Sequence, residues 1–525
     1  MAKYLINYLD KQSTINKNIY GHFCEHLGRL VYDGIWVGKD SSIPNENGVR
    51  KDVIDALKQI RVPIMRWPGG CFADTYHWKD GVGPNRKPIA NRFWGGTLED
   101  NSFGTHEFMD FCEAVGAGAY ISGNVGSGSI REMVEWAEYI RDDLNTPMAQ
   151  LRRENGRDKP WSLAAFGIGN EVWGCGGQMR PQYYADQFRQ AAHFIDTAVG
   201  GGLTAMLSGK TVEKTMIIAS GPNHEDYSFT DTLMKGLTEE MFMLNASDGS
   251  FIADGLSLHY YTFPSMSADT GMDDVAGLFS KMRTADDFGE NEWYQLLHTT
   301  AKIDEIVTRH DNIMSHYDPD KKVGLMVDEW GAWYRTEPGT NPSFLYQQNT
   351  LRDAILAAIN LNVFNKHSDR VHLTTIAQMV NVLQSIILTE GNKMLLTPTY
   401  HIYDMFKDHQ DATLLSSYVE KKKVGTNDNL IDNIFESCSV DTDGNMLCTI
   451  CNTSIDTSET IDGTIYGTSV KEVEATILTG DPHAKNTFYK PDTVATKSWK
   501  AELTDGGFNV ELPAASVVSL KLKVN

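Results

Sequence analysis

Two short stretches of this chain each bring a glutamate to the end of an apolar run. The first is Phe166-Gly-Ile-Gly-Asn-Glu-Val-Trp-Gly-Cys-Gly-Gly177, where the apolar run 163–168 stops at Gly169-Asn170-Glu171 and a glycine-rich stretch succeeds it. The second is Val323-Gly-Leu-Met-Val-Asp-Glu-Trp330, which delivers Glu329. A buried strand reads as such a run, and its end can present a carboxylate to a cleft. Either glutamate alone could do no more than cap a strand or the turn after it. As a pair, each followed by aromatics, they suit acid/base or nucleophilic chemistry.

Such chemistry needs two carboxylates on different elements facing one cleft. A parallel α/β barrel supplies this, because its catalytic groups sit at the C-terminal ends of the strands. Asn18-Ile-Tyr-Gly-His-Phe-Cys-Glu-His26 reads as a first barrel strand with polar groups at its end. Val62-Pro-Ile-Met-Arg-Trp-Pro-Gly-Gly70 reads as a second, closed by a Pro-Gly-Gly turn. Strand three is expected at 119–122, strand four before Glu171, strand five at 215–220 and strand six at 255–259. The run before Glu329 is strand seven and 371–377 strand eight. Between them stand helical spacings: Val53, Leu57 and Ile60; Phe108, Phe111, Cys112 and Val115, stopped by Gly116; Ile130, Met133, Val134 and Ala137; Tyr184, Phe188, Ala191 and Ile195; and the run 351–362. Eight alternations argue for a closed (β/α)8 TIM barrel over residues 18–395. A long polar segment, Ser265 to Asn291, is expected to be a loop on the rim that carries both glutamates.

From about residue 396 the pattern changes to short alternating runs such as Asn445-Met-Leu-Cys-Thr-Ile-Cys451 and Ser516-Val-Val-Ser-Leu-Lys-Leu-Lys523, broken by Gly, Asp and Asn turns. That is the patterning of a C-terminal β-sandwich, expected over 396–525. Residues 1–17 hold a weakly alternating strand, and a barrel that starts near Asn18 leaves it the sandwich as partner.

The chain has 525 residues, 41% of them apolar and 22% charged, as expected of a globular protein with a large core. Its formal charge of −22 argues against nucleic acid or an anionic membrane as partner and suits a neutral substrate. Eleven Trp and 21 Tyr offer faces on which sugars stack. The N-terminus lacks the apolar stretch of a signal peptide and no run approaches a membrane span, so cytoplasmic residence is expected. Seven cysteines, an odd number in a long chain, do not resemble a disulfide framework.

Other constellations carry less. Cys448-Thr-Ile-Cys451 lies in an alternating strand, where positions three apart face opposite sides, so it is not expected to bind zinc. Gly126-Ser-Gly128 lacks the Lys-Ser/Thr ending of a phosphate loop. His22, His26, His224 and His259 are expected at strand ends and, with Asp328, could hold a metal as in metal-dependent barrel hydrolases, but no tight metal-binding spacing supports this. Arg66, at the end of strand two, is either a structural ion-pair partner or the group that keeps a catalytic carboxylate ionised.

Gly21-His-Phe-Cys-Glu-His-Leu-Gly-Arg29, Met65-Arg-Trp-Pro-Gly-Gly-Cys-Phe72, Gly169-Asn-Glu171, His259-Tyr-Tyr261 and Asp328-Glu-Trp330, in this order, resemble family 51 of the glycoside hydrolases, mostly α-L-arabinofuranosidases. The resemblance runs from about residue 18 to Leu512-Pro-Ala-Ala-Ser-Val-Val-Ser-Leu520. It implies the same fold, a (β/α)8 barrel with a β-sandwich built from the C-terminal region and the N-terminal strand. It also implies Glu171 as acid/base and Glu329 as nucleophile. Asn170 would bind the sugar 2-hydroxyl, and Glu25 and Cys71 other hydroxyls. Tyr261 and Arg66 would support the nucleophile, His259 would sit beside the acid/base, Gln378 would complete the pocket and Trp94 would wall it. Many bacterial members follow the acid/base with Met-Asp-Gly-Pro-Trp; this chain has Val172-Trp-Gly-Cys-Gly-Gly177 and resembles another branch, which bears on the aglycone.

The resemblance implies a retaining exo-enzyme acting on arabinoxylan- or arabinan-derived oligosaccharides, with no metal or cofactor. By analogy with the family it also implies a homo-oligomer, often a hexamer. The competing expectations are the same mechanism on another glycoside (endoglucanase or β-xylosidase), a non-catalytic sugar-binding protein, and the metal hydrolase.

Overall fold

The computed structural model describes residues 1–201, 213–238, 252–264, 282–426 and 428–525. The apolar runs form the strands of a closed barrel because strands covered on both faces can be apolar at every position. After an N-terminal strand β1 (Ala2–Thr14), the barrel strands are β2 (Gly21–Phe23), β3 (Ile64–Trp67), β4 (Gly118–Gly123), β5 (Ala165–Ile168), β6 (Met216–Ala219), β7 (Gly255–Thr262), β8 (Gly324–Ala332) and β9 (Val371–Ile376). Each lies beside its predecessor in the chain, and the last lies beside the first. The pairs from β2 to β7 are parallel, with Phe23 opposite Arg66 and Ile121 opposite Phe166. Every residue of β5, β7 and β8 is buried, so the polar members Ser257, His259, Asp328 and Glu329 must find partners inside.

Several strands differ in extent from the sequence expectation. β2 is shorter, because Lys17–Tyr20 turn as a 3-10 helix before it. β7 runs past His259 to Thr262 and β8 past Glu329 to Ala332, so neither residue stands at a strand's last position. The buried aromatics Tyr260, Tyr261 and Trp330 carry the strands on.

Helices Lys51–Gln59, Thr105–Val115, Ile130–Arg141 and Pro181–Ala198 fall where the apolar spacing predicts them. Gly116, at φ +86°, ends the second with a left-handed cap. Helices Pro147–Glu154, Tyr227–Thr238, Glu290–Ala301 and Ile303–Tyr317 were not expected. The loop expected at 265–291 lies outside the described residues as far as 281. Its last two residues, Glu290 and Asn291, open a helix rather than end a loop. No helix among the described residues is long and apolar enough to cross a membrane.

By internal contact the chain falls into two compact units, 21–259 with 308–329, and 1–20 with 260–307 and 330–525. The second unit contains a ten-stranded sheet. Its further strands are β10 (Thr413–Val419), β11 (Ile434–Val440), β12 (Asn445–Asn452), β13 (Glu459–Tyr466), β14 (Val470–Thr479), β15 (Lys497–Trp499), β16 (Ala501–Thr504), β17 (Gly507–Leu512) and β18 (Ser516–Val524). The order is β15-β14-β18-β12-β11-β10-β1-β13-β17-β16. β1 pairs antiparallel with β10 and parallel with β13. Ile477 near one end and Phe508 near the other share one core cluster with Tyr4, Ile6 and Ile450, so the sheet folds over a single core. Helix Pro398–Phe406 precedes β10, where the sequence suggested strands alone. Helix Leu351–Lys366 is buried at every position except the last and docks on the sheet through polar bonds. Ser437 Oγ and Thr449 Oγ1 each donate to Asn362 Oδ1 at 2.7 Å, and Asn365 Nδ2 donates to Ser437 Oγ at 3.0 Å.

Candidate active site

The site is assembled at the C-terminal ends of the strands of the first unit. After β5, Gly169 (φ +81°) and Glu171 (φ +40°) both adopt left-handed backbone, which turns the chain sharply and leaves the Glu171 side chain half-buried at the cleft. From β3, Arg66 reaches under the site. Its Nη1 donates to Glu329 Oε1 at 2.8 Å and to the Asp328 carbonyl at 3.2 Å, and its Nη2 donates to Asn170 Oδ1 at 2.6 Å. The Arg66 guanidinium lies over the Phe23 ring, 4.5 Å from its centroid. Glycine is required at position 70, since a Cβ there would stand 2.8 Å from Glu329 Oε1.

His259 joins the carboxylates. Its Nδ1 lies 2.8 Å from Glu171 Oε1 and 3.5 Å from Glu329 Oε2, and its Nε2 lies 3.5 Å from Asp328 Oδ1. One carboxylate oxygen each of Glu171 and Glu329 and one His259 nitrogen fall within 4.8 Å of one another. Burial on its own would lower the His259 pKa; the Glu329, Asp328 and Glu171 carboxylates outweigh it and push the imidazole up to about 10. It is therefore an imidazolium at neutral pH. Burial opposes ionisation of Asp328 too, but the Arg66 charge and the His259 bond hold it down at about 2. Tyr120 Oη donates to Asp328 Oδ2 at 2.8 Å, and Ser257 donates to Oδ1.

Glu171 is pushed the other way. Burial raises its pKa most, and the Glu329 charge adds to this, while the His259 bond and charge and the Arg66 charge oppose. A carboxyl whose pKa is raised beside a second carboxylate is the arrangement that can separate an acid from a nucleophile.

Glu25 accepts from Trp94 Nε1 at 3.0 Å and from the Phe72 backbone N–H at 3.3 Å, which places the Trp94 indole beside a buried carboxylate. The first unit thus links Arg66, Asn170, Glu171, His259 and Glu329 in one polar group, and holds Trp94 on Glu25. Tyr261 and Gln378 belong to the second unit. Tyr261 packs its ring edge-on to Trp333, with centroids 5.1 Å apart, and Gln378 is buried just after β9.

Cys71 carries a bond that the sequence did not announce. It is joined in a disulfide to Cys175, 104 residues further on, with Cα atoms 5.5 Å apart, so it does not present a free thiol to a sugar hydroxyl. The absence of a framework pattern conceals this bridge, because the two cysteines meet only when the loops after β3 and β5 come together. Cys175 Sγ lies 3.5 Å and Cys71 Sγ 3.9 Å from Glu171 Oε2. Asp74 is another group that sequence reasoning missed. Its Oδ1 accepts the backbone N–H groups of Val125 at 3.0 Å and Gly126 at 2.9 Å, and its Oδ2 that of Asn170 at 3.1 Å. Burial outweighs these bonds and pushes the Asp74 carboxyl up to about 7. The only signal in the sequence was an acid three residues beyond Cys71, inside an apolar stretch.

Comparison with known proteins decides the family. The family model described as "Alpha-L-arabinofuranosidase 1 domain" matches residues 56–244, and that described as "Alpha-L-arabinofuranosidase C-terminal domain" matches 328–516. An intracellular exo-alpha-L-arabinofuranosidase of Bacteroides ovatus is 44% identical over 517 residues, 98% of this chain and 94% of the relative. This chain belongs to the family 51 α-L-arabinofuranosidases. Among solved structures, the GH51 arabinofuranosidase of Xanthomonas axonopodis pv. citri superposes with a TM-score of 0.90 at 42% identity, covering 99% of both chains. An arabinose complex of the Thermotoga maritima α-L-arabinofuranosidase superposes with a TM-score of 0.82 at 28% identity, again covering 99% of both. The fold and enzyme class implied by the five motifs therefore hold for this glycoside hydrolase.

Proposed function

We propose that this family 51 enzyme releases terminal non-reducing α-L-arabinofuranosyl residues with net retention, using Glu329 as nucleophile and Glu171 as acid/base. The observation that carries the reading is the proximity of the two carboxylates, whose nearer oxygens lie within 4.8 Å. Retaining glycosidases hold their carboxyl groups about 5–5.5 Å apart, whereas inverting enzymes leave about 6.5–9.5 Å for a water. Arg66 donates to Glu329, while burial and the Glu329 charge raise the Glu171 pKa, as an acid role requires.

In the first step Glu329 attacks the anomeric carbon, the glycosidic bond breaks, and Glu171 gives its proton to the leaving oxygen. Esterified Glu329 no longer carries a charge, so the pKa of Glu171 falls and its carboxylate can take a proton from water. That water attacks the anomeric carbon, the ester breaks, and Glu329 returns as the anion. Asn170, held by Arg66, takes the sugar 2-hydroxyl in this reading. Glu25 and Trp94 form a polar and aromatic wall, and the family resemblance adds Tyr261 in support of the nucleophile and Gln378 to complete the pocket. The Bacteroides ovatus relative, named as intracellular and exo-acting, supports exo action and a cytoplasmic location, and with it imported arabinoxylan- or arabinan-derived oligosaccharides as substrates. A homo-oligomer, by family analogy a hexamer, is part of the same reading.

Glu171→Ala provides the test. Glycosides with poor alcohol leaving groups should nearly cease to react. Activated aryl arabinofuranosides, which leave without a proton, should still form the intermediate and stall at its hydrolysis. Azide should then restore turnover and give a product of retained configuration. Equal losses on good and poor leaving groups, with no azide rescue, would remove Glu171 from this role.

A further inference from the structure

The Cys71–Cys175 bridge lies against one oxygen of Glu171, and its position matches the needs of a soft metal ion. A tetrahedral zinc-class ion binds thiolate sulfur at about 2.3 Å and carboxylate oxygen at about 2.0 Å, so the ligating sulfur and oxygen atoms stand about 3.5 Å apart. The two sulfurs here stand 3.5 Å and 3.9 Å from Glu171 Oε2. Two thiolates on one such ion stand about 3.8 Å apart, a separation that side-chain rotation can reach between cysteines whose Cα atoms are 5.5 Å apart. The other Glu171 oxygen, Oε1, is engaged by His259 Nδ1 at 2.8 Å, which orients the carboxylate and leaves Oε2 directed at the sulfurs. All three residues are half-buried, so an ion has access from the cleft.

We propose that Cys71, Cys175 and Glu171 form, once the disulfide is reduced, a binding site for a soft divalent cation of the zinc class. Reduction by a dithiol breaks the S–S bond, moves two electrons and two protons onto the cysteines and leaves the reductant as its own disulfide. Binding then displaces the two thiol protons to solvent, and the ion takes two sulfurs, Oε2 and a fourth ligand from water. The neighbouring group of Glu171, His259 and Glu329 is a poorer site, because His259 holds a proton and Arg66 already occupies Glu329. The Cys438–Cys448 pair inside the sheet is fully buried, and burial pushes the Cys438 thiol well up, away from the thiolate that metal binding needs. On the reading of Glu171 as acid/base, on which this consequence rests, a bound ion takes the carboxylate out of the reaction. The bridge would then keep the ion away, and a reducing compartment would leave the enzyme open to it.

The test uses the full chain, reduced with dithiothreitol and desalted without air, and cadmium as the spectroscopic probe. Titration of the reduced enzyme should give a thiolate-to-cadmium absorption band saturating at one ion per chain. The band should be missing from the oxidised enzyme, which needs no substitution as a control, and clearly diminished in Cys175→Ser, which keeps one of the two thiolates. Glu171→Ala should keep the band but bind cadmium about tenfold or more weakly. Hydrolysis of a poor-leaving-group arabinofuranoside should fall in step with the band and return with a chelator. No band in the reduced enzyme, an undiminished band in Cys175→Ser, or unchanged affinity in Glu171→Ala would overturn the site. A one-equivalent band without any loss of hydrolysis would leave the site standing and overturn the acid/base reading of Glu171.

Discussion

His259 lies between Glu171, Glu329 and Asp328, and the proton it holds lowers the cost of ionising each of them. Its hydrogen bond and charge pull the Glu171 pKa down against burial and the Glu329 anion. Removing the cation therefore makes the Glu171 proton harder to lose. His259→Ala should move the alkaline limb of the kcat/KM profile, measured on a substrate with a poor leaving group, to higher pH. A shift to lower pH would contradict this balance of charges. At Glu329 the expectation is simpler. On the reading of Glu329 as nucleophile, Glu329→Ala should cut turnover on every arabinofuranoside by at least about a thousandfold, because the side chain that would carry the glycosyl ester is gone. Both glutamates were legible because each ends an apolar run, where a buried strand delivers its carboxylate to a cleft. Cys175 and Asp74 were not, because their partners are distant in sequence: the bridge spans 104 residues, and Asp74 binds groups near 125 and 170.

Among the elements, the barrel strands were legible from apolar runs and several helices from one apolar face. Tyr227–Thr238 and Ile303–Tyr317 carry the same kind of spacing, through Phe229, Leu233, Met234 and Leu237 in one and Ile303, Ile306, Val307 and Met314 in the other, broken on the buried face by Thr230 and His310. The loops are held by Asp74. Its carboxylate ties the turn at Val125-Gly126 to the Asn170 backbone, and so fixes where Glu171 leaves β5. Asp74→Asn keeps the shape and one accepting oxygen, which would stay with the Val125 and Gly126 N–H groups. The amide nitrogen would then face the Asn170 N–H, and that bond is lost. The expected result is a fall in kcat of about ten- to a hundredfold, because small displacements of a catalytic group are costly, with a much smaller change in KM. A stability loss of about 1–3 kcal/mol, typical of a buried group left without a partner, should accompany it. Steady-state kinetics beside thermal unfolding check both; a kcat equal to that of the unaltered enzyme would show that the turn does not depend on this acid.

In the whole molecule, the order of the chain and the order of the sheet are different things. β1 comes first in sequence yet lies between β10 and β13, where its pairing joins six strands on one side to three on the other. The sequence pointed to this only by elimination, since a short amphipathic strand ahead of a closed barrel has no place within it. The structure adds the reason for its hold. Ala2, Tyr4 and Ile6 are buried in the core while Lys3 and Leu5 face outward, and Tyr4 packs edge-on against Phe508 with centroids 6.3 Å apart. The Tyr4 hydroxyl donates to buried Glu436 at 2.6 Å, and Ser417 Oγ donates to the same oxygen at 2.9 Å. Tyr4→Ala removes the ring and leaves a cavity, which for a buried aromatic costs about 3–5 kcal/mol. Tyr4→Phe removes only the bond to a carboxylate that keeps other partners, a loss of about 1–3 kcal/mol. Unfolding midpoints in denaturant should therefore fall in the order Tyr4→Phe, then Tyr4→Ala. An exposed control such as Leu5→Ala, on the opposite face of the same strand, should change the midpoint little. If Leu5→Ala proved as damaging as Tyr4→Ala, β1 would be held by its outer face, and the placement of its alternate residues in the core would be wrong.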